Sequence, residues 1–178
     1  WPDGSRYVGR FEQDMFNGQG TYTYGNGDLY VGEFSNGEKT IDGIYTYANG
    51  DTYVGEFERD LKAGKGTYTY LNGSQYVGDF QNNRFDGQGT QTWGLESVFA
   101  GDVYSGAFSA DKPNGQGRYI FANGDQYAGI FKDGLFEGQG TLSSAQGDRY
   151  IGDFKAGVRH GKGTLNGSDG TKYSGDWL

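Results

Sequence analysis

The sequence predicts an all-β fold: an elongated, twisted, single-layer antiparallel sheet of tandem β-hairpins. Three observations carry this. A Tyr-x-Gly tripeptide recurs every 23 residues along almost the whole chain. Its flanks alternate apolar and polar residues with period two, and no stretch shows a helical stripe. Turn-forming dipeptides close successive units.

The register starts at Tyr7, Tyr30, Tyr53, Tyr76, Tyr104, Tyr127 and Tyr150, with a partial eighth copy from Tyr173. Two residues after each tyrosine stands Gly (Gly9, Gly32, Gly55, Gly78, Gly106, Gly129, Gly152, Gly175). Two further on stands an aromatic ring: Phe11, Phe34, Phe57, Phe80, Phe108, Phe131, Phe154 and Trp177. A Gly-x-Gly pair follows, as in Gly18/Gly20 and Gly64/Gly66; the second unit departs, with Ile41 in place of the first glycine. One array therefore spans residues 1–178. It is interrupted by an insertion of 5 residues within 94–103, where the spacing stretches to 28. Residues Trp1 to Gly4 read as the end of a repeat whose start is missing.

Each element has its own reason. In Tyr30-Val31-Gly32-Glu33-Phe34 the Tyr, Gly and Phe share one face, and Thr21-Tyr22-Thr23-Tyr24 puts both tyrosines on one face, so both segments are strands. Asn26-Gly27, Asn49-Gly50, Asn72-Gly73 and Asn123-Gly124 join such strands through a tight hairpin turn, because Asn and Gly tolerate positive φ. The glycines leave room for a neighbouring ring to lie flat on the backbone, and they permit bulges that raise the twist. A single hairpin cannot bury its aromatic face, but neighbours can stack along an array. Seven repeats at two strands each would extend roughly 65–70 Å, curving into a trough.

Composition agrees. Among 178 residues there are 35 Gly, 15 Tyr and 12 Phe, so the apolar mass must come from rings. A net charge of −8 argues against nucleic-acid binding and weakens docking on an anionic membrane. With no Cys there are no disulfides, thiolate metal sites or cysteine nucleophile.

Tyr-Val-Gly-Glu-Phe, a loop, Gly-Lys-Gly-Thr-Tyr and then Asn-Gly-Asp together resemble the MORN (membrane occupation and recognition nexus) repeat, and the resemblance covers essentially the whole chain. It implies a curved solenoid of consecutive hairpins, often capped by a helix. It also implies protein–protein scaffolding through an aromatic, acid-lined groove. Dimerisation through terminal repeats, phosphoinositide binding and service as an accessory region of certain kinases and methyltransferases are further properties of the family. Ile41, the insertion and the absence of an Asn-Gly turn at Gly167 to Gly170 depart from its pattern, and no capping helix is visible. Choline-binding repeats would need Trp-dense units, and calcium-binding β-rolls a nine-residue period; the chain has 3 Trp and a period of 23.

The candidate sites follow. His160 is the only histidine and occupies a tolerant repeat position; alone it builds neither a catalytic triad nor a metal site. Glu33, Glu56, Asp79 and Asp153 form a carboxylate row that either solvates the sheet or steers a basic partner. The Gly-x-Gly pairs open no helix and so cradle no phosphate. Lys155, Arg159, Lys162 and Lys172 make the only plausible headgroup patch. The aromatic rows must supply the core, yet a single layer leaves part of such a face open to a partner. The groove residues expected are Tyr30, Phe34, Tyr47, Tyr53, Phe57, Tyr70, Tyr76, Phe80 and Trp93. Leu95, Val98 and Phe99 in the insertion are compatible with an interface. The expected function is thus a non-catalytic protein-interaction scaffold without cofactor or metal, holding a protein or peptide segment. The alternatives are a phosphoinositide-binding peripheral membrane module and an accessory region of an enzyme. Open sheet edges point to homodimers. A cytoplasmic location is the default, with membrane or cytoskeletal association open.

Overall fold

A computed structural model describes all 178 residues, and every regular element in it is a strand. In chain order these are β1 (Arg6–Glu12), β2 (Met15–Thr23), β3 (Leu29–Ser35), β4 (Glu38–Thr46), β5 (Thr52–Glu58), β6 (Leu61–Thr69), β7 (Gln75–Gln81) and β8 (Arg84–Thr92). There follow β9 (Val103–Ser109), β10 (Lys112–Ile120), β11 (Gln126–Lys132), β12 (Leu135–Ser143), β13 (Arg149–Lys155), β14 (Val158–Asn166) and β15 (Lys172–Trp177). They pair in sequence order in one open, 15-stranded antiparallel sheet. The chain divides into two compact units, Trp1–Phe85 and Asp86–Leu178.

The register explains the repeat. In the first hairpin Tyr7 pairs with Tyr22, Gly9 with Gly20 and Phe11 with Phe16, so all these residues share a face. Between Gly9 and Arg10 the register slips, leaving Gly18 and Gln19 without a partner on β1. The same bulge recurs at Gly32, Gly55, Gly129 and Gly152. It is the first glycine of each Gly-x-Gly pair that makes it possible: Gly18, Gly64, Gly138 and Gly161 sit at φ of 69°, 54°, 59° and 58°. Ile41 holds φ 55° at this position, where a β-branched residue is strained.

The tight turns lie elsewhere than the sequence suggested. Two-residue loops with positive φ at both positions, the type I′ pattern, join β1 to β2 at Gln13-Asp14, β3 to β4 at Asn36-Gly37 and β11 to β12 at Asp133-Gly134. The Asn-Gly dipeptides at 26–27, 49–50, 72–73 and 123–124 occupy longer connections. Gly27 N–H donates to Tyr24 O, Tyr24 N–H to Asp28 O, and the Asn26 side chain accepts from Asp28 N–H. Only the glycine is left-handed there, at φ 95°. Asn26 contributes an Asx-type hydrogen bond, not a positive φ.

The opposite face alternates as a solvated sheet face should. Val8, Thr21, Val31, Ile44, Val54, Thr67 and Val77 stand opposite one another from β1 to β7, and the aliphatic members are exposed. The insertion is closed at its base by Trp93 N–H to Asp102 O and Gly101 N–H to Trp93 O.

Candidate functional site

The first aromatic row is the core. Tyr30, Tyr53, Tyr76, Tyr104, Tyr127 and Tyr150 are fully buried. Each ring lies across the two glycines of its own hairpin: a Cβ on Gly66 would stand 2.5–2.7 Å from Tyr53 ring and hydroxyl atoms. The sequence reading assigned this space to a neighbouring ring; it belongs to the tyrosine two residues upstream. The buried phenols are satisfied by the backbone three residues on, Tyr30 donating to Glu33 O at 3.1 Å, Tyr53 to Glu56 O at 2.8 Å and Tyr76 to Asp79 O at 2.8 Å. Edge-on phenylalanines from the same and the next repeat close the row, as Phe57 and Phe80 do on Tyr53 at 5.1 and 4.8 Å.

Six expected groove residues, Tyr30, Phe34, Tyr53, Phe57, Tyr76 and Phe80, are therefore buried and keep no ring face for a partner. The other three, Tyr47, Tyr70 and Trp93, are half-buried and belong to a second row. In the first unit that row runs Tyr22, Tyr24, Tyr45, Tyr47, Tyr68, Tyr70, with tilted neighbours at 4.5–5.7 Å. Burial pushes the Tyr47 hydroxyl up to about 12, with Asp28 and Asp51 adding to it.

The aspartate after the Asn-Gly pairs at 26–27, 49–50 and 123–124 ties one repeat to the next, a role the sequence reading missed. Asp51 accepts from Tyr68 Oη at 2.8 Å and from Leu71 N–H at 2.8 Å; Asp28 does the same for Tyr45 and Ala48. Burial opposes the Asp51 charge, but these donors outweigh it and hold its pKa below the usual carboxylate value. The spacing Asn-Gly-Asp was the available signal. The expected carboxylate row does local work: Glu56 accepts from Lys65 N–H at the bulge, and Asp153 from Lys162 N–H.

A second unforeseen position lies nine residues after each repeat tyrosine: Phe16, Lys39, Lys62, Phe85, Pro113, Phe136 and Arg159. Phe85 and Phe136 stack flat on Tyr76 and Tyr127, both at 3.7 Å. Lys39 and Lys62 instead place an ammonium among rings. Lys62 Nζ is 4.7 Å from the Tyr68 centroid, 5.4 Å from Tyr47 and 5.5 Å from Tyr53, and donates to Tyr47 Oη at 2.9 Å. Lys39 repeats this with Tyr24, Tyr30 and Tyr45, and pairs with Asp60 at 3.0 Å. At Pro113 the corresponding place is open: a hollow of about 460 Å³ lined by Trp93, Phe99, Pro113, Tyr119, Phe121 and Phe136, among others.

His160 is half-buried and pairs across the ladder with Asp153, and no three acid or histidine side chains converge as metal ligands would. Within the basic run, Lys162 pairs with Asp176 at 2.7 Å and Arg159 sits over the rings of Tyr150 and Trp177.

The MORN repeat family model matches residues 7–29, 30–52, 53–75, 76–94, 104–126, 127–149 and 150–172. No curated protein matches the sequence. Among solved structures, the SAS-4 (dCPAP) TCP domain of Drosophila melanogaster, in complex with a proline-rich motif of Ana2 (dSTIL), is similar at a TM-score of 0.56 and 15% identity. That likeness covers 97% of this chain and 90% of that one, and it shows the fold. The wild-type TCP10 domain of Danio rerio CPAP aligns over 99% of this chain and 91% of its own, at 12% identity and a TM-score of 0.28. With seven consecutive copies of the repeat matched between residues 7 and 172, the chain belongs to the MORN repeat family.

Proposed function

We propose that the chain is a non-catalytic protein-interaction module that binds an extended segment of a partner on its second aromatic row. The observation that carries this reading is the run of half-buried rings from Tyr22 to Tyr70, which pack on one another and stay partly in solvent. Rigid aromatic faces give contact area at little entropic cost, and extended or polyproline segments dock on such surfaces. The SAS-4 domain, of similar fold, is in complex with a proline-rich motif, which supports an extended ligand here. The net charge of −8 favours a segment that carries basic residues. The commitments of Arg159 and Lys162 give the lipid-headgroup reading little support.

The test is a titration of proline-rich peptides, with and without flanking lysines, followed by NMR. The expected result is binding that perturbs Tyr47 and Tyr70 and weakens at least about tenfold in a Tyr47→Ala, Tyr70→Ala variant that keeps its β-sheet circular dichroism. Peptide binding that ignores both substitutions would remove the second row from consideration.

A further inference from the structure

We infer that the hollow at Pro113 is an aromatic cage for a methylated ammonium, carried as an N-methylated lysine on the partner segment. This rests on the protein-interaction reading above and specifies one of its contacts.

The chain supplies its own precedent. Position 113 is backbone-equivalent to positions 39 and 62. Pro113 pairs with Phe108 as Lys39 pairs with Phe34 and Lys62 with Phe57. Its carbonyl accepts from a turn N–H of the next repeat, Gly134, as those of Lys39 and Lys62 accept from Asp60 and Asn83. The surroundings are equivalent too. Asp102 accepts from the Tyr119 hydroxyl and from Ala122 N–H, just as Asp51 accepts from Tyr68 and Leu71. Where Lys62 lies against both Tyr47 and Tyr68, the hollow is bordered by Trp93 and Tyr119, whose ring centroids are 5.5 Å apart. Two repeats thus fill this place with a lysine ammonium. The repeat of Pro113 has the same frame and no cation of its own.

Three differences set the chemistry of the occupant. Trp93 replaces a tyrosine and offers a stronger cation-binding face. Phe99, brought in by the insertion, adds a further wall, 6.0 Å from Trp93. Trp93 and Phe121 stand where Tyr47 and Tyr70 stand in the filled cage, so the hydroxyl that accepts from Lys62 Nζ has no counterpart. A bare ammonium would enter with N–H groups unmatched, whereas a trimethylammonium carries charge without donors and suits a wall of rings. The buried Asp102 carboxylate stands behind Tyr119 and favours a positive guest.

The experiment titrates the whole chain with Nε-trimethyllysine and choline. Unmethylated lysine and 3,3-dimethylbutanol, the neutral isostere of choline, serve as comparisons. The readouts are the Trp93 indole N–H resonance and the ring-current shift of the N-methyl protons. Choline is expected to bind about 5- to 30-fold more tightly than its neutral isostere, and trimethyllysine more tightly than lysine. Pro113→Lys, which fills the cage from within, is expected to abolish probe binding while keeping its β-sheet circular dichroism. Should that variant not fold, Trp93→Leu takes its place and must abolish the binding. Equal binding of the neutral isostere, tighter binding of lysine than trimethyllysine, or undiminished binding in the folded variant would overturn the inference. Partner-segment binding that survives while choline fails sinks the cage alone. Choline binding without any peptide binding at Tyr47 and Tyr70 sinks the interaction reading and leaves the cage standing.

Discussion

Gly66→Ala should cost far more than a surface glycine substitution, through Tyr53 alone. Gly66 is not among the left-handed residues, so added backbone strain is not the cause. In an ordinary strand the change would favour folding by about 0.5–1 kcal/mol. Here the new Cβ would stand 2.5 Å from Tyr53 Cε2 and 2.6 Å from its Oη. Tyr53 is fully buried, so the ring has nowhere to retreat without disturbing its edge contacts with Phe57 and Phe80. Overpacking costs about 1–3 kcal/mol. A displaced phenol also loses its bond to Glu56 O, worth about 1 kcal/mol. The sum is a loss of about 2–4 kcal/mol, read as a lower urea midpoint at constant slope. The decisive arm is a double-mutant cycle with Tyr53→Ala. Once the ring is gone, Gly66→Ala should be neutral or mildly stabilising, giving a coupling of at least about 2 kcal/mol. An equal cost in both backgrounds, or none in either, would show that the glycine pair does not exist to seat the tyrosine.

Three further outcomes follow from the same geometry. Ile41→Gly relieves a left-handed β-branched residue that is mostly exposed, and should raise stability by about 1 kcal/mol; a lower melting temperature would contradict that. Asp51→Asn keeps the shape but weakens two charge-assisted bonds, and should cost about 1–3 kcal/mol at neutral pH, converging on the parent in acid; a constant difference down to low pH would refute the assignment. Alkali should unfold the chain cooperatively. Burial pushes the Tyr104 and Tyr127 hydroxyls up to about 12, above their unfolded value near 10, so this stability is whole below about pH 10 and is lost as pH rises through about 12. Phenolate absorbance for the buried rings should therefore appear together with the loss of β-sheet signal. Smooth titration near pH 10 in a folded chain would contradict it.

What the sequence determined by itself was the repeat and its consequences. Tyr-x-Gly-x-Phe at a fixed spacing puts ring, gap and ring on one face of a strand, and paired strands of that kind can only bury those faces against one another. That a Gly-x-Gly pair permits a bulge was legible too, because left-handed φ is a local property of glycine. Of the two-residue turns, Asn36-Gly37 and Asp133-Gly134 carried that signal, but Gln13-Asp14 and Arg59-Asp60 did not. The positive φ of Gln13-Asp14 and Arg59-Asp60 is imposed by the twist and register of the strands they join, while the Asn-Gly pairs at 26–27, 49–50, 72–73 and 123–124 went to longer connections. The division of the aromatic rows was settled only in three dimensions. Tyr53 in β5 and Tyr47, just past the end of β4, face the same side. Tyr53 lies over two glycines beneath Phe57 and Phe80 and is buried; Tyr47, near the end of its hairpin, stays half-buried. The place filled by Lys62 and open at Pro113 is likewise invisible in either residue alone, because it is formed by rings from two successive repeats that only the register of the sheet brings together.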